Sequence, residues 1–143
     1  MATDRTAEVT WRGSLMDGSG SIDRVGSGAF GPLDVTWASR AEDPAGRTSP
    51  EELIAAAHAS CYSMALSHAL AQDGTPPEQL ETSATVTFVP GTGITKVALK
   101  VRGAVPGIDE AGFVAKAEGA KDGCPVSKAL AGVPEITVDA ALA

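Results

Sequence analysis

The stretch that decides the fold runs Thr48-Ser49-Pro50-Glu51-Glu52-Leu53-Ile54-Ala55-Ala56-Ala57-His58-Ala59-Ser60-Cys61-Tyr62-Ser63-Met64-Ala65-Leu66. Ser49 is a good helix N-cap, Pro50 suits the first helical position, and Glu51 and Glu52 fall in the electropositive first turn. Ser49-x-x-Glu52 has the spacing of a capping box. These signals predict one long helix that continues to about Gln72 and is closed by Gly74 and Pro76. Leu53, Ala57, Cys61 and Ala65 recur at four-residue steps, with Ile54 and Met64 beside them, and are expected to form its apolar stripe. The middle of the run is small and apolar nearly all round, so the helix is expected to be buried on most sides.

Outward from this helix the chain reads mainly as strands. Downstream, two alternating segments, residues 82–89 and 94–101, are separated by Pro90-Gly91-Thr92-Gly93, a strong hairpin signature. Asp109 is expected to cap a second helix reaching about Asp122, with Gly123 ending it. Cys124 precedes Pro125 and so stands at the N-cap of a short third helix over residues 125–131. Residues 135–139 read as a last strand. Upstream, residues 7–11 read as a strand, Asp17-Gly18-Ser19-Gly20 as a hairpin turn and residues 33–37 as a third short strand, before Asp43-Pro44-Ala45-Gly46 breaks the chain. The order predicts an α+β fold with mostly antiparallel sheet packed on a long central helix. Its 143 residues suit a single domain, 1–143.

Composition narrows the function. The net charge of −7 and the absence of any basic cluster argue against nucleic acid as a partner. No apolar run has the length of a membrane span, and Met1-Ala2-Thr3-Asp4-Arg5 has no apolar stretch behind it, so a cytoplasmic location is expected. There are two cysteines, which in a cytosolic protein are either inert buried thiols or a working pair.

The residues themselves leave that choice open. A reactive cysteine must lose its proton. Cys124, at a helix start, has backbone N–H groups to favour a thiolate. Cys61 lies mid-helix without such help, and in apolar surroundings its pKa rises unless a cation comes from elsewhere. A mid-helix cysteine on an apolar stripe is also an ordinary small core residue. His58-x-x-Cys61, with Cys124 as a third ligand, is the conceivable metal set, although His58 reads equally as a packed helix-face histidine. No Gly-x-Ser-x-Gly elbow is present, and Gly18-x-Gly20 lacks the strand–helix context of a dinucleotide site. Tyr62, Met64, Phe30, Phe88 and Phe113 could line an apolar pocket, though each reads individually as core.

The run over residues 48–66, together with Gly123-Cys124-Pro125-Val126-Ser127, resembles the two cysteine motifs of the OsmC/Ohr family, the osmotically inducible and organic hydroperoxide resistance proteins. Ile94-Thr95-Lys96-Val97-Ala98-Leu99 and Val105-Pro106-Gly107-Ile108-Asp109 resemble the strand and turn between them, so that the likeness covers nearly the whole chain. The resemblance implies a thiol peroxidase, part of an antioxidant stress response, that reduces organic hydroperoxides without cofactor or metal. It also implies an intertwined homodimer with sites at the subunit interface, and a dithiol reductant, of lipoyl type or a small-molecule dithiol. Carried over by position, Cys61 matches the peroxidatic cysteine, Cys124 the resolving cysteine with which it forms a disulfide, and Glu51 the family glutamate. The family arginine matches Arg40 best, with Arg47 as competitor. Residues 14–18 lack the arginine of the hydroperoxide resistance branch, which favours the OsmC branch. Glu51 and Cys61 are ten residues apart. That is about 15 Å along a helix, so the two cannot touch within one chain and an arginine or a second subunit must bridge them. The rival function is a redox sensor or binding protein that uses the same dithiol without turnover.

Overall fold

The computed structural model describes residues 1–143, which divide into two compact units, Met1–Pro50 and Glu51–Ala143. The first holds a three-stranded antiparallel sheet of order β1-β2-β3, with β1 (Ala7–Arg12), β2 (Ser19–Val25) and β3 (Leu33–Val35). The predicted hairpin exists, but its turn lies two residues earlier than expected. Gly13 takes a positive φ of 88°, the Gly18 N–H donates to Ser14 O at 2.8 Å, and Ser19 and Gly20 already pair with Arg12 and Trp11.

Trp37 does not extend the third strand as predicted; it opens a short helix, α1 (Trp37–Ala41). The reason is local. The Thr36 hydroxyl accepts the Ser39 N–H at 3.0 Å and the Ser39 hydroxyl accepts the Thr36 N–H at 2.9 Å, a reciprocal cap that outweighs the β preference of tryptophan. Arg40 therefore sits in the last turn of a helix. The break at residues 43–46 is present, with Ala45 and Gly46 both at positive φ.

The second unit contains the long helix, α2 (Pro50–Gln72), with the predicted start and end. It is followed by β4 (Gln79–Val89), β5 (Gly93–Ala104), α3 (Glu110–Gly123), α4 (Pro125–Ala129) and β6 (Glu135–Leu142). The short helix α4 ends two residues before the predicted Ala131. β4 and β5 form the expected hairpin, and β6 returns parallel to β5 after α3 and α4. Asp109 caps α3 as predicted, its side chain accepting the Gly112 N–H at 2.8 Å.

Alternation along β5 turns Val97, Leu99, Val101, Gly103 and Val105 inward. Together with Phe113, Ala117 and Ala120 of α3 they meet Tyr62, Leu66 and Leu70 of α2 in one core that also contains Cys124. Gly103 is required by close approach: a Cβ there would lie 2.6 Å from Phe113 Cζ.

The face of α2 turned to this core differs from the expected stripe. His58, Tyr62, Leu66 and Leu70 are buried, one residue out of phase with Leu53, Ala57, Cys61 and Ala65. Ala57 is exposed, Cys61 is partly exposed and Met64 is 72% exposed, so the helix is buried along one face rather than on most sides. Alanine leaves helix rotation undetermined because it packs adequately either way. The large residues Tyr62, Leu66 and Leu70 decide it, and they bring His58 into the interior with them.

Candidate active site

Cys61 projects from the middle of α2 and Cys124 from the junction of α3 and α4. Both are free thiols, packed in the same core and close enough that each influences the ionisation of the other. The junction is built by neighbouring residues. The Cys124 N–H donates to Ala120 O at 2.9 Å, closing α3, while Cys124 O accepts the Lys128 N–H at 3.1 Å, opening α4. Pro125 at the first position of α4 has no N–H to lose there. The chain thus turns from one helix to the next around a single sulfur.

The two sulfurs differ in their surroundings. Burial pushes the Cys61 thiol up, with the Val126 N–H pulling the other way and Cys124 adding to the rise. This is the rise anticipated for a mid-helix cysteine in apolar surroundings. Burial is also the largest influence on Cys124 and opposes its ionisation. The Ser127 N–H, the Cys61 S–H, the Ser127 hydroxyl and the Val126 N–H together outweigh it, and the Cys124 thiol lies below its ordinary value. Within this pair the surroundings favour negative charge on Cys124 over Cys61. Cys124 is fully buried and Cys61 is partly exposed, so a molecule from solvent reaches Cys61 first.

His58 was considered above as a metal ligand. It is fully buried, and its Nε2 lies 2.7 Å from Ser127 Oγ. No group of three His, Cys, Asp or Glu side chains is arranged to hold a metal ion. The residue that the sequence reading missed is Ser127. The spacing Cys124-x-x-Ser127 puts it at the third position of α4, one turn from the N-cap residue, and that spacing was the available signal.

Glu51 is buried in the first turn of α2 and lies in the same helix as Cys61, as the ten-residue spacing required. Arg40 lies in the last turn of α1 and is half-buried, whereas Arg47, in the loop before α2, is exposed. Of the five residues considered for an apolar pocket, Tyr62 and Phe113 are core, the Tyr62 hydroxyl donating to Ala117 O at 2.8 Å. Phe30 and Met64 are exposed. An apolar cavity of 620 Å³ does lie between α2 and α3, but small residues line it, Ala65, Ala69, Ala120, Gly123 and Pro125 among them.

No helix is long and apolar enough to cross a membrane. Residues 42–139 match the family described as OsmC-like protein. The chain is 41% identical over 142 residues to the peroxiredoxin OsmC of Escherichia coli strain K12, covering 97% of this chain and 96% of that protein, and matches the peroxiredoxin OsmC of Shigella flexneri to the same extent. Among solved structures it is similar to the organic hydroperoxide resistance protein OhrB of Bacillus subtilis, with a TM-score of 0.65, 26% identity and coverage of 96% of this chain and 98% of that one. The OsmC-like protein of Mycoplasma pneumoniae shares the fold, with a TM-score of 0.69 at 18% identity over 98% of this chain and 99% of that one. A free thiol pair joining a long helix to a helix junction, on a fold and a sequence shared with these proteins, leads to one conclusion: the chain belongs to the OsmC-like family, on its OsmC branch, and is a cysteine-dependent peroxidase.

Proposed function

We propose that the protein reduces organic hydroperoxides, with Cys61 as the attacking sulfur and Cys124 as the resolving one. The observation that carries this reading is the meeting of two free thiols of unequal exposure in one core. The Cys61 thiolate attacks the outer peroxide oxygen, and the O–O bond breaks. An alkoxide leaves, takes up a proton to become the alcohol, and Cys61 is left as a sulfenic acid. The Cys124 thiolate then attacks the sulfenic sulfur. An S–S bond forms, the S–O bond breaks, and hydroxide leaves to become water. An external dithiol reduces the disulfide by exchange and is itself oxidised to a disulfide.

Because burial disfavours the Cys61 thiolate, a cation is needed when the charge moves onto Cys61. Arg40 is the proposed source, oriented by the Glu51 carboxylate, whose bidentate geometry fixes the plane of a guanidinium. The protein is proposed to work as a homodimer in the cytoplasm, where dithiols are kept reduced. The exposed face of α2, with Ala56, Ala57 and Ser60, is small enough for a second copy of the helix to approach closely. The apolar cavity between α2 and α3 suits an alkyl substituent better than a bare peroxide.

The test is dithiol-dependent consumption of tert-butyl hydroperoxide or cumene hydroperoxide, set against hydrogen peroxide. Many turnovers per protein, faster with the organic peroxides, are expected. Peroxide loss that stops at one equivalent would instead indicate a redox sensor.

A further inference from the structure

Cys124 is supported by a second buried group that the steps above do not use. Ser127, one helical turn along α4 from the N-cap Cys124, helps to lower the Cys124 pKa, and Ser127 Oγ lies 2.7 Å from His58 Nε2. His58 is fully buried, and its other nitrogen, Nδ1, has no partner. These facts select a tautomer. Burial pushes the His58 pKa down, so the ring is neutral and carries one proton. A proton on Nδ1 would leave a buried N–H without an acceptor and would turn the Ser127 hydroxyl proton toward the ring. A proton on Nε2 is donated to Ser127 Oγ and leaves only a bare lone pair on Nδ1. The hydroxyl proton of Ser127 is then free to turn toward the sulfur of Cys124.

We propose that His58 is a positioning residue for the resolving thiol: by donating to Ser127 Oγ it aims the Ser127 hydroxyl proton at Cys124 Sγ and holds Cys124 ready as the thiolate that closes the disulfide. The inference rests on the reading of Cys124 as the resolving cysteine. The other groups that face Cys124 do not replace this donor. From α2, Cys61 loses its S–H once it is oxidised. Tyr62, also from α2, donates its hydroxyl to Ala117 O, and burial pushes its pKa up. The remaining core around the sulfur, from β5 and α3, is apolar. Ser127 is therefore the side-chain donor that stays in place whether Cys61 is a thiol or a sulfenic acid.

A hydrogen bond to a thiolate lowers its pKa by about one or more, and a rise of one leaves about tenfold less thiolate at neutral pH. The more basic sulfur is also the better nucleophile, by about threefold for a Brønsted slope of 0.4–0.5. The two effects oppose each other and produce a crossing. Without the chain of donors, disulfide closure slows about threefold well below the Cys124 pKa and runs about threefold faster than wild type well above it, where every form is thiolate. Loss of packing alone would produce no crossing.

The experiment has two arms on the full chain. In the first, the Cys124 pKa is read from the pH dependence of iodoacetamide alkylation in Cys61→Ser protein. In the second, closure of the disulfide after one equivalent of tert-butyl hydroperoxide is followed by rapid quench and mass spectrometry. Ser127→Ala and His58→Leu should raise the Cys124 pKa and show the crossing, and His58→Gln, which keeps a donor near the Nε2 position, should restore wild-type behaviour. If His58→Leu does not fold by circular dichroism, His58→Asn, too short to reach Ser127, takes its place. An unchanged Cys124 pKa in both Ser127→Ala and the His58 variant overturns the proposal, and so does a shift in Ser127→Ala alone. Wild-type protein that lacks multiple turnover while the alkylation shifts persist would defeat the peroxidase reading and leave the action of His58 on Cys124 standing.

Discussion

The two cysteines sit in opposite kinds of backbone. Cys61 is in the middle of α2, where every nearby N–H of its own helix already bonds a carbonyl, so it depends on the Val126 N–H from another helix. Cys124 is where one helix ends and the next begins, beside the first-turn N–H groups of α4, which favour a thiolate there. The difference teaches that the partly exposed sulfur is the electrostatically unsupported one. The fold favours charge on the sulfur it hides, and the charge needed for attack has to be supplied to Cys61 from outside the pair.

The largest effect that tests this contrast is removal of each sulfur in turn. Cys61→Ser should lower turnover by about 10³-fold or more, as loss of a nucleophile does. Cys124→Ser should keep one rapid turnover and accumulate a Cys61 sulfenic acid, visible by mass spectrometry after trapping. Robust multiple turnover in Cys61→Ser would reverse the two roles. A smaller effect locates the outside charge. Arg40→Met should raise the Cys61 pKa by about 1–3 and slow its oxidation in proportion, whereas Arg47→Met should change neither. Thiol titration by alkylation decides between them, and the opposite pattern would move the cationic role to Arg47.

The smallest effect lies in stability. The folded-state pKa of His58 is depressed, so the neutral ring contributes stability that is present above the ordinary value of 6.5 and is lost as pH falls below it. Wild-type protein should therefore lose stability toward acid through this group, and His58→Gln, which cannot titrate, should lose less over the same range. Urea midpoints at pH 7.5 and pH 5 measure it. Equal acid losses in the two proteins would show that His58 takes up a proton without penalty.

Much of this arrangement was legible before any fold. Ser49-Pro50-Glu51-Glu52 announces the start of α2, Pro90-Gly91-Thr92-Gly93 the β4–β5 turn, and Gly123-Cys124-Pro125 the break between two helices. Each signal acts within one turn of chain. The helix at Trp37 was missed because its cap, the exchange between Thr36 and Ser39, outweighs the β preference of the tryptophan beside it. The buried face of α2 was missed for a long-range reason. Six alanines and three serines between Leu53 and Leu70 give the helix no preferred rotation by composition, so a stripe through Cys61 looked as good as one through Tyr62. Ser127 was visible only as a letter in a motif, because its importance comes from a histidine 69 residues away.

By itself the sequence determined the start and end of α2, the β4–β5 turn and the break between α3 and α4, that one cysteine lies inside a helix and the other at a junction, and which family motifs surround them. Tertiary structure alone decided that Tyr62 rather than Cys61 faces the core, that the two thiols meet there, and that His58 meets Ser127. Caps and turns are made by residues within a few positions of each other. Helix rotation and the meeting of distant thiols depend on which large side chains of β5 and α3 close over α2, and no local segment carries that information.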